Sequence, residues 1–495
     1  MKPAVGSMTN SEKRTIALVI SSGWGVRTFL QTEILPRLQA EVSVVIFASP
    51  ELIPSLKQRV GPEAMIEPLQ PFDHSQGEYG RFYGRRNYYF TELNRTRARS
   101  AKLRQYRRSL RGRKRDLIRS YLLAAEAKLL ANESSLRSLF RLELKAFYRD
   151  YPHLDFYRNI LESFKPDLIL ATVPHVSLEA PPLLVARQLG IKTACWINSW
   201  DNLTTKSAYF AEYDHYFVWS EHMRGELLRY YSEVGDHPIT ATGVPHFDWY
   251  QSAELMLSRE EFCRRSGLDP ARPIILYAMA TPYLAPAEDL VVKELAMDLP
   301  ANAARVKSQL IVRVHPADNG ERLQGYEFDS SVRVQVPGKA GGGNIFKYHP
   351  SHEDNREFVN SIRHADVVVN LASTITLDAC LCDRPVISVA FDPSPDRRYQ
   401  TAIDHYHTRY EHYQTALQCG AVRLAHSHHE LLSHIRTYLD HPELEREGRR
   451  SLAELWCGPC DGAAASRLAR ALLKATPGLE AAAEKDCGLV EACSN

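Results

Sequence analysis

The chain has 495 residues, 44% of them hydrophobic, and a formal net charge of +2. This exceeds one ordinary core at a prior of about 150 residues per domain, and the composition is that of a soluble globular protein. No apolar run approaches the roughly 18 residues that span a bilayer, Thr15 to Ile20 is too short for a signal-peptide core, and nine scattered cysteines do not form a disulfide framework. A cytoplasmic protein is expected.

Taken in order, Thr15 to Ile20 (TIALVI) reads as a buried parallel strand. It runs into Ser21-Ser22-Gly23-Trp24-Gly25-Val26-Arg27. There Gly23 and Gly25 are expected to let the backbone approach a ligand closely, with Arg27 in the same loop. The third glycine of a dinucleotide fingerprint is missing, so no nicotinamide site is expected. A helix over Thr28 to Leu38 and a strand over Val42 to Ala48 would open a doubly wound sheet.

From about Phe72 to Phe140 the pattern turns charged and helical, as in an insertion carried on the first domain. Between Arg81 and Arg119 stand fifteen Lys or Arg against two acidic residues, Glu92 and Asp116, with Tyr and Phe interleaved. Phospholipid headgroups, a phosphorylated or acidic glycan acceptor, or nucleic acid would suit such a segment. A solvated basic helix without a partner is the plainer alternative. Asp167 to Thr172, Lys192 to Ile197 and Asp214 to Trp219 resume strand character. His175 lies just past the first of these, and the polar loop Asn198 to Lys206, with Asp201 and Lys206, just past the second. Carboxyl ends of strands are where open α/β sheets bind ligands.

A second α/β unit begins at Pro273 to Ala278. Leu310 to Val314 is a strand that carries Arg313 and His315-Pro316 at its end, and the polar loop Gly338 to Gly343 precedes a helix over Glu353 to Arg363. His364 to Asp392 (HADVVVNLASTITLDACLCDRPVISVAFD) reads as strand, polar turn, helix and strand. Its turn between Asn370 and Thr376 is expected to place hydroxyls and free N–H groups at a helix N-terminus, which suits a phosphate. Trp456-Cys457-Gly458-Pro459-Cys460 matches a thioredoxin string, but Glu443 to Leu455 reads as helix where that motif needs a strand, so a loop between two helices is expected. Clustered histidines lack a familiar ligand spacing, and no metal is expected. The last residues, from about Gly478 to Asn495, read as a loose tail.

Several strings carry a resemblance. The segment from His364 to Asp392 is similar to the donor site of the GT-B glycosyltransferase superfamily, and Gly243-Val244-Pro245-His246-Phe247-Asp248 resembles its hinge between halves. Arg313-Val314-His315-Pro316 and Asp461-Gly462-Ala463-Ala464 resemble strings of the CDP-glycerol glycerophosphotransferases and related surface-polymer transferases. One departure is Asp378, which stands where relatives commonly carry Glu. The resemblance implies an α/β protein of two Rossmann-like doubly wound domains. The first would span residues 1–250, with a helical basic insertion at about 72–150, and would serve the acceptor. The nucleotide-donor domain would span 251–476, and the tail 477–495.

It further implies a metal-independent glycosyltransferase without a cofactor, which takes a nucleotide-activated sugar as co-substrate and builds a cell-surface polysaccharide or glycolipid. Donor binding would fall to Arg313, His315, Ser373, Thr374, Asp378 and Lys206, and the base would be His175, Asp201 or His246. The basic segment would hold the enzyme against anionic lipid at the inner face of the membrane. A UDP-N-acetylglucosamine 2-epimerase or a CDP-glycerol-type phosphotransferase is the rival enzyme reading. A nucleic-acid-binding protein ranks last, because the basic stretch explains none of the strand-end loops.

Overall fold

The computed structural model describes residues 13–61, 65–301, 307–338, 348 and 350–479. Residues 339–343 of the expected polar loop and 480–495 of the expected tail lie outside them. Two all-parallel sheets organise the chain. The first holds β1 (Thr15–Ile20), β2 (Ser43–Ala48), β3 (Met65–Pro68), β4 (Leu168–Ala171), β5 (Lys192–Trp196), β6 (His215–Val218) and β7 (Ile239–Ala241), in the order β3-β2-β1-β4-β5-β6-β7. The second holds β8 (Ile274–Ala278), β9 (Gln309–Arg313), β10 (Val332–Gln335), β11 (Val367–Asn370), β12 (Val386–Val389) and β13 (Val422–Ala425), in the order β10-β9-β8-β11-β12-β13. Helices cover both faces of such sheets, so central strands such as TIALVI and VVVN are apolar apart from one end residue, Thr15 or Asn370, and buried along nearly their whole length.

Both sheets reverse direction beside their first strand, between β1 and β4 and between β8 and β11. A crevice opens at the carboxyl ends of the strands at such a switch point. The chain has two of them.

Three strands escape the pattern of continuous apolar runs. Met65–Pro68 ends in proline, and Val332–Gln335 and Val422–Ala425 alternate apolar with polar residues. All three lie at sheet edges, where one face is less covered. The helix expected from Thr28 to Leu38 also differs. A helical turn starts earlier, at Gly23, passes into a π-helical turn over Val26–Leu30, and resumes as an α-helix only at Ile34–Glu41. A π turn re-aims side chains at functional sites, and here it includes Arg27.

Between β3 and β4 the chain builds α1 (Gly77–Leu93), α2 (Arg97–Ser109), α3 (Lys114–Leu130) and α4 (Glu133–Asp150). A reciprocal cap at Asn132 and Ser135 starts α4. A buried ion pair joins α1 to α4: Arg86 Nε donates to Glu143 Oε1 at 2.5 Å and Nη2 to Oε2 at 2.9 Å, and Nη2 also reaches the Tyr209 carbonyl at 2.8 Å. In the second half α5 (Ile375–Leu381) follows β11, and the chain ends with α6 (Arg446–Cys457) and α7 (Ala464–Ala475). Helix α7 returns to the first half. Asp248 accepts from its Ala464 and Ala465 N–H groups at 3.0 and 2.8 Å, and Gly243, at φ +80°, leaves room for Ala464. The hinge-like segment is therefore clamped by the last helix.

Candidate functional site

The carboxyl ends of both sheets face one cleft of about 760 Å³, a volume suited to a small-molecule ligand. The first half contributes Trp24 and Arg27 after β1, Asn198 to Asn202 and Lys206 after β5, and Trp219 after β6. The second contributes Ala278, Met279 and Thr281 to Leu284 at the end of β8, Arg313 to Ala317 at the end of β9, and Ala372 to Ile375 and Asp378 after β11. Asp201, Lys206, His246, Arg27, Arg313, His315, Ser373, Thr374 and Asp378 all line this cleft. His175, Gly23 and Gly25 do not.

Beneath the strand ends of each half lies a buried glutamate. Glu179 accepts from the N–H and hydroxyl of Ser21, the hydroxyl of Thr172 and the N–H of Val173, tying the end of β1 to that of β4. Glu288 accepts from the Ala280 N–H at 2.8 Å and the Tyr277 hydroxyl at 3.1 Å. Burial raises both carboxyls to about 7.

On the second-half wall, Arg313 is fixed from behind. Its Nη1 donates to Gln335 at 2.9 Å and to Glu357 at 3.3 Å, and its guanidinium lies 5.0 Å from the centre of the Phe358 ring. His315 Nδ1 accepts from the Ala317 N–H at 2.9 Å. Burial holds its pKa down at about 4, so the ring is neutral and presents Nε2–H as a donor.

The turn after β11 is more committed than its sequence suggests. Ala372, at φ +48°, gives its N–H to Ser388 Oγ at 3.1 Å, and Ser388 is held by His407 Nε2 at 2.9 Å. The Ser373 N–H donates to Asn370 Oδ1 at 2.9 Å. The N–H groups of Thr374 and Ile375 are those left without an acceptor among the described residues. A non-glycine residue held at positive φ marks a turn that its surroundings determine. Asp378 is occupied as well: the Tyr250 hydroxyl donates to its Oδ1 at 2.7 Å across the two halves. Burial raises its carboxyl to about 6, against the opposing pull of Arg27 and Tyr250.

On the first-half wall, the two glycines admit protein rather than ligand. A Cβ on Gly23 would lie 1.9 Å from the Tyr348 carbonyl oxygen, and one on Gly25 would lie 2.6 Å from Thr172 Oγ1. That close packing puts Arg27 in the cleft among aromatic rings, 4.9 Å from Trp24, 5.9 Å from Phe358 and 6.0 Å from Trp249. Its Nη2 lies 2.8 Å from His246 Nε2, while its Nε has no partner. Burial lowers the Arg27 pKa, with Asp378 opposing and Arg313 adding to the effect. His246 is held well below its usual range by burial and by Arg27. Its Nε2 lone pair receives the guanidinium, so it orients Arg27 and is not free to take a proton.

Asp201 accepts from Ser199 Oγ at 2.6 Å and from Thr205 Oγ1 at 2.8 Å. Burial would raise its carboxyl, but Lys206 first, then His412 and Lys102, hold it well below the usual range. So low a pKa makes a weak base and a good anchor. His175 stacks on Tyr209 at 4.7 Å outside the cleft lining, and burial followed by Lys206 pushes its pKa well down. None of the three candidate bases thus combines reach with basicity.

Lys102 is a cleft residue that sequence reasoning missed. It comes from α2, inside the basic insertion, and burial followed by Lys206 lowers its pKa to about 8. Nothing in the sequence separates it from its neighbours in the same basic run. The insertion is held against the second half as well as the first. Glu411 accepts the first N–H groups of α2, from Arg97 and Ala98. Arg99 is buried and gives its guanidinium to the carbonyls of Asn94, Leu203 and Lys206.

Other expectations resolve away from the cleft. Cys457 ends α6 and is buried, so its thiol is pushed well up, and Cys460 is exposed. A helix stands where a thioredoxin strand would be. Among the described residues no group of His, Cys, Asp and Glu is arranged to hold a metal ion, and no helix is long and apolar enough to cross a membrane.

No protein-family model matches the chain, and no curated protein sequence matches it. Solved structures do. UDP-GlcNAc 2-epimerase from Neisseria meningitidis, bound to UDP-GlcNAc, is 14% identical over 93% of this chain and 100% of that one, at a TM-score of 0.51. The S. aureus MnaA structure with UDP is 9% identical over 93% of this chain and 95% of that one, at a TM-score of 0.50. With two parallel sheets that face one cleft across their switch points, the chain has a GT-B-type fold.

Proposed function

We propose that this protein is a glycosyltransferase that uses a nucleotide-activated sugar. The observation that carries the reading is the pair of guanidiniums that both approach the Phe358 ring, Arg27 from the first half at 5.9 Å and Arg313 from the second at 5.0 Å, in a cleft formed at both switch points. Two cations brought together against their mutual repulsion suit a ligand with two or more negative charges, and a planar guanidinium matches phosphate oxygens. The solved structures with a similar fold hold UDP-GlcNAc and UDP.

The sugar's anomeric C–O bond breaks, with its electrons going to the nucleotide diphosphate. A new C–O bond forms to the acceptor hydroxyl, whose proton passes to solvent water. Arg313, Arg27 and the Nε2–H of His315 stabilise the charge that develops on the leaving diphosphate. Ser373, Thr374 and the two unpaired N–H groups of the β11 turn add donors on the same wall. Asp378 is spoken for by Tyr250, so its part is to set the approach of the two halves and the field at Arg27 rather than to bind a ribose alone. Asp201 orients the acceptor hydroxyl with the lone pairs that Ser199 and Thr205 leave free.

The epimerase alternative needs no acceptor, and the cleft carries more cationic groups than a donor diphosphate uses. The outer face of the insertion supports the membrane-surface part of the reading. Ile118, Tyr121, Leu122 and Leu129 are exposed along α3, with Leu129 82% exposed, and the exposed Arg108, Arg111, Arg113, Lys114, Arg115 and Arg119 surround them. Exposed large apolar side chains within a basic field match an anionic bilayer surface.

The test is nucleotide release from a panel of nucleotide sugars. Arg313→Ala is expected to lower turnover by roughly a hundredfold or more with the circular dichroism unchanged. Absence of nucleotide binding to the wild type would overturn the reading. Solvent hydrogen incorporated at the sugar C2 without an acceptor would replace it with the epimerase.

A further inference from the structure

The cations of the cleft fall into two electrostatic sets. Arg27 is acted on by Asp378, Tyr348, Tyr250 and Arg313. Lys102 is acted on by Lys206, Asp201 and Arg99. The two sets share no member. The first gathers at Phe358, with Arg27 and Arg313 5.9 and 5.0 Å from the ring centre. The second belongs to the first half alone, on the wall formed by α2 and the loop after β5.

Within the second set the charges do not balance. Lys102, Lys206 and Arg99 stand against Asp201, while His175 and His412 are neutral: burial and Lys206 hold His175 well down, and burial holds His412 at about 4. Arg99 spends its donors on three carbonyls, and the carboxyls that feel its charge, Glu226 and Glu233, are raised by burial to about 8 and about 7. Asp201 is the carboxylate that acts on them, but neither lysine ammonium makes an ion pair or a hydrogen bond among the described residues, although both line the cleft. The surplus is two positive charges in a partly desolvated place, which is costly unless a ligand offsets it. A carboxylate would remove one of the two. A phosphate monoester, dianionic near pH 7, would remove both, and two ammonium groups offer it up to six donors. Tyr283, Tyr406 and Tyr410 line the same part of the cleft, with Lys102 Nζ 6.0 Å from the centre of the Tyr410 ring.

We propose that Lys102 and Lys206 form a second anion subsite, which takes a phosphate group of the acceptor while Arg27 and Arg313 hold the donor diphosphate. The assignment rests on the transferase reading and names its acceptor class, a phosphate-bearing molecule. It moves Lys206 from the donor to the acceptor. It also gives the insertion a part in substrate choice, since Lys102 enters the cleft on α2, whose first turn is capped by Glu411 of the second half.

The test is calorimetry on the full chain. A hexose 6-phosphate is titrated in the presence and absence of saturating UDP, and in a second arm vesicles of phosphatidylcholine with phosphatidic acid replace it. Binding is expected to persist with UDP bound. Lys102→Ala and Lys206→Ala should each weaken it about tenfold or more, at a cost near 1.4 kcal/mol per tenfold, while UDP affinity changes less than about twofold. Lys102→Arg should retain most of it. Arg313→Ala should do the reverse, losing UDP and keeping the phosphate. Binding of the soluble phosphate marks a soluble acceptor, and lysine-dependent binding of the vesicles alone marks a lipid-borne one; either supports the subsite. It is overturned if UDP excludes the phosphate, if the lysine variants weaken UDP as much as the phosphate, or if neither phosphate binds in a lysine-dependent way. Should UDP itself not bind, the donor assignment fails, and the dependence of phosphate binding on Lys102 and Lys206 still decides the subsite.

Discussion

The two halves repeat one sheet order around two switch points, yet they hold their cleft cations in different ways. In the second half Arg313 is tied from behind by Gln335, Glu357 and Phe358, and His315 by the Ala317 N–H. In the first half Lys102 and Lys206 have no such hydrogen bonds or ion pairs among the described residues, and one of them arrives on a helix that the sheet does not need. The second-half wall is a preformed donor set, whose geometry is there before any ligand. The first-half wall is an addition, and it depends on whatever keeps the insertion in place.

The sharpest way to break that comparison is to release the insertion. Arg86 and Glu143 are both buried and bind each other with two hydrogen bonds. Burial works against the charged guanidinium, and Glu143 more than restores it, raising its pKa. Removing one member leaves the other charged and buried, which costs about 3–5 kcal/mol. Arg86→Ala is expected to lower stability by that amount in denaturant unfolding and to weaken phosphate binding. UDP binding to the surviving fold should change little. Equal loss of both ligands would show that the second-half wall depends on the insertion too.

A smaller effect concerns the contact between the walls. Burial raises the Asp378 carboxyl in the folded protein to about 6, above its ordinary value near 4. The folded state therefore binds this proton more tightly than the unfolded chain does. The stabilisation is full below about pH 4 and is lost as the pH rises through about 6, by less than about 3 kcal/mol. Glu179 and Glu288 add losses that run from about 4.5, their ordinary value, up to about 7. Melting temperatures between pH 4 and 8 for the wild type and Asp378→Asn isolate the first of these. The difference between them should change most between pH 4 and 6. Tyr250→Phe removes the hydroxyl that donates to the carboxylate, so it should move that change to higher pH.

The second half was legible because its signals are local. Arg313-Val314-His315-Pro316 sits at one strand end and the Ser373 turn at another, and the central strands read as apolar runs, whereas the edge strands Val332–Gln335 and Val422–Ala425 do not. The βαβ turn was visible, but its internal bonds were not: Asn370 and Ser388 absorb N–H groups that the sequence shows only as a polar stretch. The engagement of Asp378 by Tyr250 was not legible, because the two lie far apart in sequence, with Tyr250 just past the hinge-like segment. Gly23 and Gly25 were recognised as sites of close approach, although what approaches is Tyr348 and Thr172. Lys102 could not be found at all. In a run of fifteen cations the pattern has no period that marks one as inward, and only the fold of α2 against the second half singles it out.

The smallest expected effect tests the outer face of the insertion, where exposure replaces burial. On α3, Ile118, Leu122 and Leu129 follow a helical stripe that points away from α1, with Tyr121 beside it. Arg107 lies 4.3 Å from the Tyr121 ring and bonds Ser120 Oγ at 3.0 Å, so α2 and α3 present one surface. If that surface meets a bilayer, its basic residues supply attraction that salt screens and its aliphatic side chains supply insertion that salt does not screen. Leu122→Glu combined with Leu129→Glu is expected to cost about 1–2 kcal/mol of vesicle binding, roughly tenfold in partition. The measurement is co-sedimentation with phosphatidylglycerol-containing vesicles at two salt concentrations. Wild-type binding should fall with salt but not vanish, the double variant should lose the salt-resistant part, and Arg115→Glu should lose mainly the salt-sensitive part. Nucleotide turnover in detergent solution should be the same for all three, because none of these residues reaches the cleft. Binding that vanished with salt in the wild type would reduce α3 to a charged surface and remove the apolar stripe from the membrane.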